Sequence, residues 1–215
     1  MKRSQLVQIA PLMGISRADT FLVPLEKAML RWDITSPHCQ ANFLAQVIHE
    51  SQNLAVMAEN LNYSPAGLLA TFPTHFTEEQ AERFGRTKEH PAAQVMIANM
   101  AYNGRMGNAV DSSDGYRFRG RGPIQLTGRN NYTKCGAALG LDLLSSPELL
   151  QEPDIGCLAA GWFWAVGNAT GKSLNYQAEC MDVGAVTRVI NGGNHGLVAR
   201  SDLTQRALKA LAVTA

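Results

Sequence analysis

An excess of charge of one sign is missing from this 215-residue chain: 19 Lys and Arg stand against 18 Asp and Glu, a formal net charge of +1. A balance this close sets up no overall field for a polyanion, so nucleic acid is not an expected partner. Arg117, Arg119, Arg121 and Arg129 form the one local basic patch that the sequence offers. Cysteine is sparse. Cys39, Cys135, Cys157 and Cys180 are scattered and contain no CxxC pair, which argues against a disulfide or zinc framework and for free thiols in a reducing compartment. His38, His49, His75, His90 and His195 lack metal-ligand spacing, so no metal and no cofactor are expected. Long apolar runs are also lacking. None approaches the roughly 18 residues needed to span a bilayer, so stable membrane insertion is not expected. The opening MKRSQLVQIAPLMG is interrupted by Gln8 and Pro11 and reads as a first helix, not as a secretion signal. There is no internal repeat, low-complexity segment or linker, and the length suits a single domain over 1–215 with a sizeable core.

What the chain does have is one organising stretch, FLAQVIHESQNLAVMAENLN, from Phe43 to Asn62. Phe43, Leu44, Val47 and Ile48 are spaced to cover one face of a helix. Ser36 and Pro37 supply its N-cap and first position, and His49 and Glu50 close it. Asn53 and the run Leu54 to Met57 then break the rhythm, and Glu59 follows nine positions after Glu50, in extended or turn structure. One carboxylate beside apolar surface and another in a wet loop suit acid/base cleavage of a glycosidic bond. Two solvated glutamates fit the same letters.

The remaining pattern is mostly helical. Ser4 to Ala10 reads as a short helix ended by Pro11. Ser16 caps a helix over 17–31, with Pro24 as a kink or a later start. Ser64 and Pro65 open a short helix to Phe72, Thr77 and Gln80 form a capping box for one ending near Gly85, and Pro91 begins another through Met100. These three suggest a smaller helical lobe at about 62–101. In the Gly-rich segment from Gly115 to Tyr132, Tyr116, Phe118, Ile124 and Leu126 recur near alternate positions, as in an irregular strand with one side packed. Helices follow over 130–139, stopped by Gly140, over 155–166, over 182–190, stopped by Asn191-Gly192-Gly193, and over 197–213.

Three segments gain meaning together: HES at 49–51, GRGPIQLTGRNNY at 120–132 and VINGG at 189–193. In this order the chain resembles the glycoside hydrolase family 19 chitinases, and more closely their phage and prophage endolysin branch, over about 43–211. The resemblance implies a mainly α (α+β), lysozyme-like two-lobed fold with a small β element and a central glycan groove. It implies an inverting hydrolase without a metal. Glu50 matches the general acid. Glu59 stands at the spacing of the general base in endolysin-type members, with a nearby acid such as Glu78 as the other candidate. Thr127 matches a hydroxyl that positions the attacking water. Gln125 and Asn131 match amides lining the groove, Asn191 matches the amide of the INGG turn, and Arg200 aligns with a groove arginine able to hold a carboxylate. His49, beside Glu50, either serves the site or is an ordinary core histidine. These five are the substrate-binding candidates. The tryptophan that plant enzymes carry after this motif is replaced by Gly128, and the plant disulfide cysteines are not matched. The expectation is therefore a monomeric endolysin that cleaves peptidoglycan glycan strands between N-acetylmuramic acid and N-acetylglucosamine. It would be made in the host bacterial cytoplasm and reach the wall after membrane permeabilisation. A chitinase, or a wall-binding module without catalysis, are the alternatives.

Overall fold

Helix α3 (Pro37–Glu50) is where the main core is built. The Ser36 hydroxyl accepts from the Cys39 N–H at 3.1 Å, and Pro37 takes the first helical position, where no donor is lost. Every residue from Ala41 to Ile48 is buried. A helix closed off on all sides must have neighbours on all sides, and α12 (Leu197–Ala212), α10 (Asn175–Glu179) and α11 (Val183–Asn191) supply them. A second layer pairs α2 (Ile15–Arg31) with α9 (Pro153–Trp162), while α1 (Arg3–Ile9) lies on both α2 and α12. Phe43 meets Trp164 edge-on, with ring centroids 5.6 Å apart. The computed structural model describes residues 1–212; the expected end of the last helix at Val213 lies outside them. Among the described residues, all four cysteines are free thiols and no helix is long and apolar enough to cross a membrane.

A smaller apolar cluster is separate from this core. Leu61, Leu68, Phe76, Ala81, Ile97 and Ala98 form it, carried by α4 (Pro65–Thr71), α5 (Glu78–Phe84), α6 (Gln94–Tyr102) and their connections. Ser64 caps α4, and Thr77 and Gln80 make the reciprocal capping box at α5. Pro91 does not open α6. The Ala93 N–H donates to the Phe84 carbonyl at 2.8 Å, tying the chain back to the end of α5, and the helix starts one residue later.

Other expectations needed correction. Helix α2 begins at Ile15 after Gly14, whose φ of 74° is a glycine conformation, so Ser16 lies inside the helix and is not its cap. Pro24 sits buried within α2 and does not delay its start, which is at Ile15; packing on α9 outweighs the one lost hydrogen bond. The helix expected over 155–166 splits into α9 and a π-helical turn, Phe163–Gly167.

The Gly-rich segment holds a short helix, α7 (Asp114–Arg117), where the alternation suggested a strand. The β structure reduces to two antiparallel bridges, Ala58 with Arg121 and Arg121 with Leu126. Phe118, Ile124 and Leu126 are buried as the alternation required, but they pack an irregular chain. The four arginines there are not an open basic patch. Arg129 grips Asp114 through two hydrogen bonds of 2.7 and 2.8 Å, and this first of all holds the Asp114 carboxyl below its usual range. Arg121 is buried and donates to the Tyr132 hydroxyl at 3.0 Å. Arg119 stacks 4.0 Å above the Tyr116 ring, and Arg117 donates to the Leu144 carbonyl. Helix α8 (Arg129–Leu139) follows and stops at Gly140 in the left-handed conformation.

Gly122 in this segment is fixed by two demands. Its φ is +73°, and a Cβ there would stand 2.9 Å from the Leu150 carbonyl oxygen. Gly122→Ala is expected to destabilise the protein by about 1 kcal/mol or more, from the left-handed backbone alone, with the overlap adding to it. Urea unfolding of the two proteins measures the difference.

Candidate active site

Glu50 is the last residue of α3, and the chain reverses immediately after it. Gln52, Asn53 and Leu54 all have positive φ, at 50°, 61° and 59°. Three consecutive non-glycine residues in the left-handed region are costly and persist only where the surroundings hold them. Here the Ser51 hydroxyl donates to the Val47 carbonyl at 2.5 Å and accepts from the Leu54 N–H at 2.9 Å. The Ser51 carbonyl accepts from both Ala55 and Val56, and Asn53 donates back to the Ile48 carbonyl. The turn delivers the chain to the Ala58–Arg121 bridge. Glu59 then donates its N–H to the Gly120 carbonyl at 2.8 Å.

Around Glu50 the anchors come from the far end of the chain. Arg200 Nη2 lies 2.5 Å from Glu50 Oε1, its Nη1 2.5 Å from Gln46 Oε1, and its Nε donates to the His195 carbonyl at 3.1 Å. Arg200 is only 2% exposed. It holds a carboxylate, as its alignment implied, and is too buried for the substrate contact also expected of it. Gln46, fully buried one turn before Glu50, completes the chain with a 3.3 Å bond to Thr187. Asn191 is likewise spent internally: its Nδ2 donates to the His195 carbonyl at 3.0 Å and its Oδ1 accepts from Gly193. Its amide closes the turn that brings the His195 carbonyl to Arg200. His49 lies against Gly196, where a Cβ would come within 2.3 Å of Nε2. Burial, then the Arg200 charge, pushes the His49 imidazole below its ordinary value against the opposing pull of Glu50, so it is neutral at pH 7.

Glu59 is held from both sides. Tyr102, the last residue of α6, donates its hydroxyl to Oε1 at 2.6 Å, and the Gly120 N–H donates to Oε2 at 3.1 Å. Gly120 is also where the motif residues meet. A Cβ there would stand 2.9 Å from Gln125 Oε1 and 3.4 Å from both Glu59 Cβ and Thr127 Oγ1. The absence of a side chain at Gly120 is what lets these three share one face. Thr127 donates to the Gln125 carbonyl at 2.9 Å, and Asn131 Nδ2 donates to the Thr127 carbonyl at 2.8 Å. Gln125 Nε2 bonds the Gly122 carbonyl at 3.0 Å, so its Oε1 is the end left toward the site. Glu59, Gln125, Thr127 and Asn131 are all half-exposed. Glu78, the other candidate base, is exposed in the first turn of α5, outside this cluster of contacts.

Two residues of the site went unread in the sequence. Gln46 had a signal: an amide in the middle of the apolar run FLAQVI. Tyr102 had none, since it stands at the edge of a polar Gly-rich stretch and its partner is 43 residues away. Among the described residues, no three His, Cys, Asp or Glu side chains are grouped so as to hold a metal ion.

A carboxylate ending a buried helix, a second anchored beside a hydroxyl and an amide, and a mainly helical frame define a glycoside hydrolase. The family model for class I chitinases of glycosyl hydrolase family 19 matches residues 98–195. A glycosyl hydrolase family 19 domain-containing protein from Haemophilus influenzae is 38% identical over 166 residues, which cover 76% of each chain. The chain belongs to glycosyl hydrolase family 19. Acidic endochitinase Q of Nicotiana tabacum is 36% identical over 110 residues, 44% of this chain and 43% of that one, so the match spans less than half of the plant protein. Chitinase C of Streptomyces griseus, 22% identical, shares the fold with a TM-score of 0.62 over 98% of this chain and 76% of its own.

Proposed function

We propose that the protein is an inverting hydrolase of peptidoglycan, cleaving the β-1,4 bond between N-acetylmuramic acid and N-acetylglucosamine. The observation that carries the mechanism is the convergence on Gly120 of Gln125, Thr127 and Glu59, the last of these nine residues along the chain from an Arg200-anchored Glu50. Glu50 gives its proton to the leaving glycosidic oxygen. Glu59 takes a proton from a water molecule as that water attacks the anomeric carbon from the opposite face. The proton lost by the acid and the proton gained by the base balance once solvent exchanges them. An inverting pair requires about 6.5–9.5 Å between the carboxyls, room for the water. Thr127 suits the positioning of this water because its hydroxyl proton goes to the Gln125 carbonyl and its oxygen remains an acceptor for the water's second proton. His49, Gln125 and Asn131 are the groups proposed to meet the sugar.

Gly128 in place of the plant tryptophan and four free thiols support the endolysin branch over a plant-type chitinase. On this reading the protein is a monomeric single domain whose smaller cluster, at about 62–101, forms one wall of a glycan groove. It is made in the host cytoplasm and acts on the wall after membrane permeabilisation. The second reading is a chitinase, favoured by the similarity to the tobacco endochitinase. Purified protein incubated with cell-wall sacculi is expected to release new reducing ends, with N-acetylmuramic acid at the reducing end of the fragments by mass. Turnover of chitin oligomers with no action on sacculi would overturn the peptidoglycan assignment.

A further inference from the structure

We propose that Tyr102 is a positioning residue for Glu59, holding the carboxylate in the orientation from which it accepts a proton from water. This rests on the assignment of Glu59 as base. A glutamate side chain has three rotatable bonds and would otherwise sample many orientations. Here two donors from unconnected elements fix the carboxylate: the Tyr102 hydroxyl, 2.6 Å from Oε1, and the Gly120 N–H, 3.1 Å from Oε2. A carboxylate offers about four lone-pair sites, so two remain for a water and its neighbours. The tyrosine is itself held. It ends α6, packs on the smaller apolar cluster and meets Phe72 edge-on with ring centroids 6.2 Å apart. A hydroxyl carried on a packed ring loses little freedom on forming this bond, and a bond to an ionised acceptor is the strong kind.

Tyr102 does not serve as a base. Burial, then the Glu59 charge, raises its hydroxyl far above the ordinary tyrosine value, so it stays a proton donor throughout the working range. Tyr63, Arg119 and Tyr132 also feel the Glu59 charge, and Arg105 faces Tyr102. Of these groups, only Tyr102 donates a side-chain hydrogen bond to Glu59 among the described residues.

The test is Tyr102→Phe, which keeps the ring and deletes the hydroxyl, beside Glu59→Gln and the double variant, on sacculi and on chitin oligomers. Loss of a charge-assisted hydrogen bond is expected to lower kcat about tenfold to a hundredfold. KM is expected to stay within about twofold, because the bond is not made to substrate. The acid limb of kcat/KM against pH should move to higher pH, since the ionised carboxylate has lost a donor that favours it. The double variant should be no slower than Glu59→Gln, as for two residues acting as one unit. A Tyr102→Phe enzyme with wild-type kcat, beside an inactive Glu59→Gln, overturns the proposal and leaves Glu59 in place. So does a kcat loss that comes with a lowered unfolding midpoint and an unmoved acid limb, because that is a structural role. Full activity of Glu59→Gln overturns the base assignment itself.

Discussion

Glu50→Gln is expected to lower turnover of glycan by about 10²–10⁴-fold, the usual worth of a general acid. The amide is nearly the same size and shape, and its oxygen still accepts the hydrogen bond that Arg200 Nη2 gives to Oε1 at 2.5 Å. What it lacks is an acidic proton for the leaving oxygen. The loss should therefore fall on kcat and leave sugar binding near its wild-type strength. The buried Arg200 guanidinium also loses its counter-charge, so some stability goes with it. Urea unfolding reads that component separately, and rates are compared at a temperature where both proteins are folded. Release of reducing ends is the assay. A Glu50→Gln protein that degrades glycan at the wild-type rate would remove the catalytic assignment, and one that acts biologically without cleaving anything would favour a wall-binding module.

Arg200→Met is expected to cost about 3 kcal/mol of stability, the lower end for breaking a buried ion pair by removing one partner. The lower end applies because the Glu50 side chain keeps 19% of its exposure and water reaches it, whereas Arg200 has almost none. Removal of the guanidinium strands the Gln46 amide oxygen and the Glu50 carboxylate, while the His195 carbonyl keeps its bond from Asn191, and unmade bonds of this kind dominate such losses. Activity should drop as well, because nothing then fixes Glu50 Oε1. Arg200→Lys is expected to recover only part of either effect. An ammonium is a point donor and cannot span the three acceptors as a planar fork does. Denaturant midpoints for the three proteins, read beside their rates, check both statements. Equal midpoints for Arg200→Met and the wild type would show that this network contributes nothing.

Much of the frame was legible because it follows from local chemistry. Ser36-Pro37, Ser64-Pro65 and Thr77 with Gln80 each mark a helix start by the bonds they make to nearby N–H groups, and α3, α4 and α5 begin there. Gly140 and Gly192 end α8 and α11 in the left-handed conformation that glycine permits. The apolar stripe of α3 placed Glu50 at its end. Less legible was whatever depends on distant partners. Pro91 looked like a helix start, but Ala93 is recruited by Phe84. The four arginines between 117 and 129 looked like a patch until Asp114, Tyr116 and Tyr132 turned out to absorb three of them. Arg200 and Asn191 carried motif positions whose spelling does not say whether the side chain faces sugar or protein. Gln52, Asn53 and Leu54 carry no left-handed signature of the kind glycine gives, and the turn that joins the two carboxylates is held by the bonds of Ser51 and by the Asn53 N–H on the Ile48 carbonyl.

Only one of the two carboxylates is tied to the smaller apolar cluster. Glu50 rides on the end of the main-core helix α3, and Glu59 is gripped by a tyrosine whose ring belongs to the smaller cluster. On the proposed assignment, the gap between proton donor and proton acceptor then depends on how the smaller cluster, through Tyr102, seats against the main core that carries Glu50 and the Gly120 segment. Enzyme engineers who alter the fit of Leu68, Phe76 or Ile97 would be adjusting the jaws of the reaction from behind, without touching a single polar group in the bite.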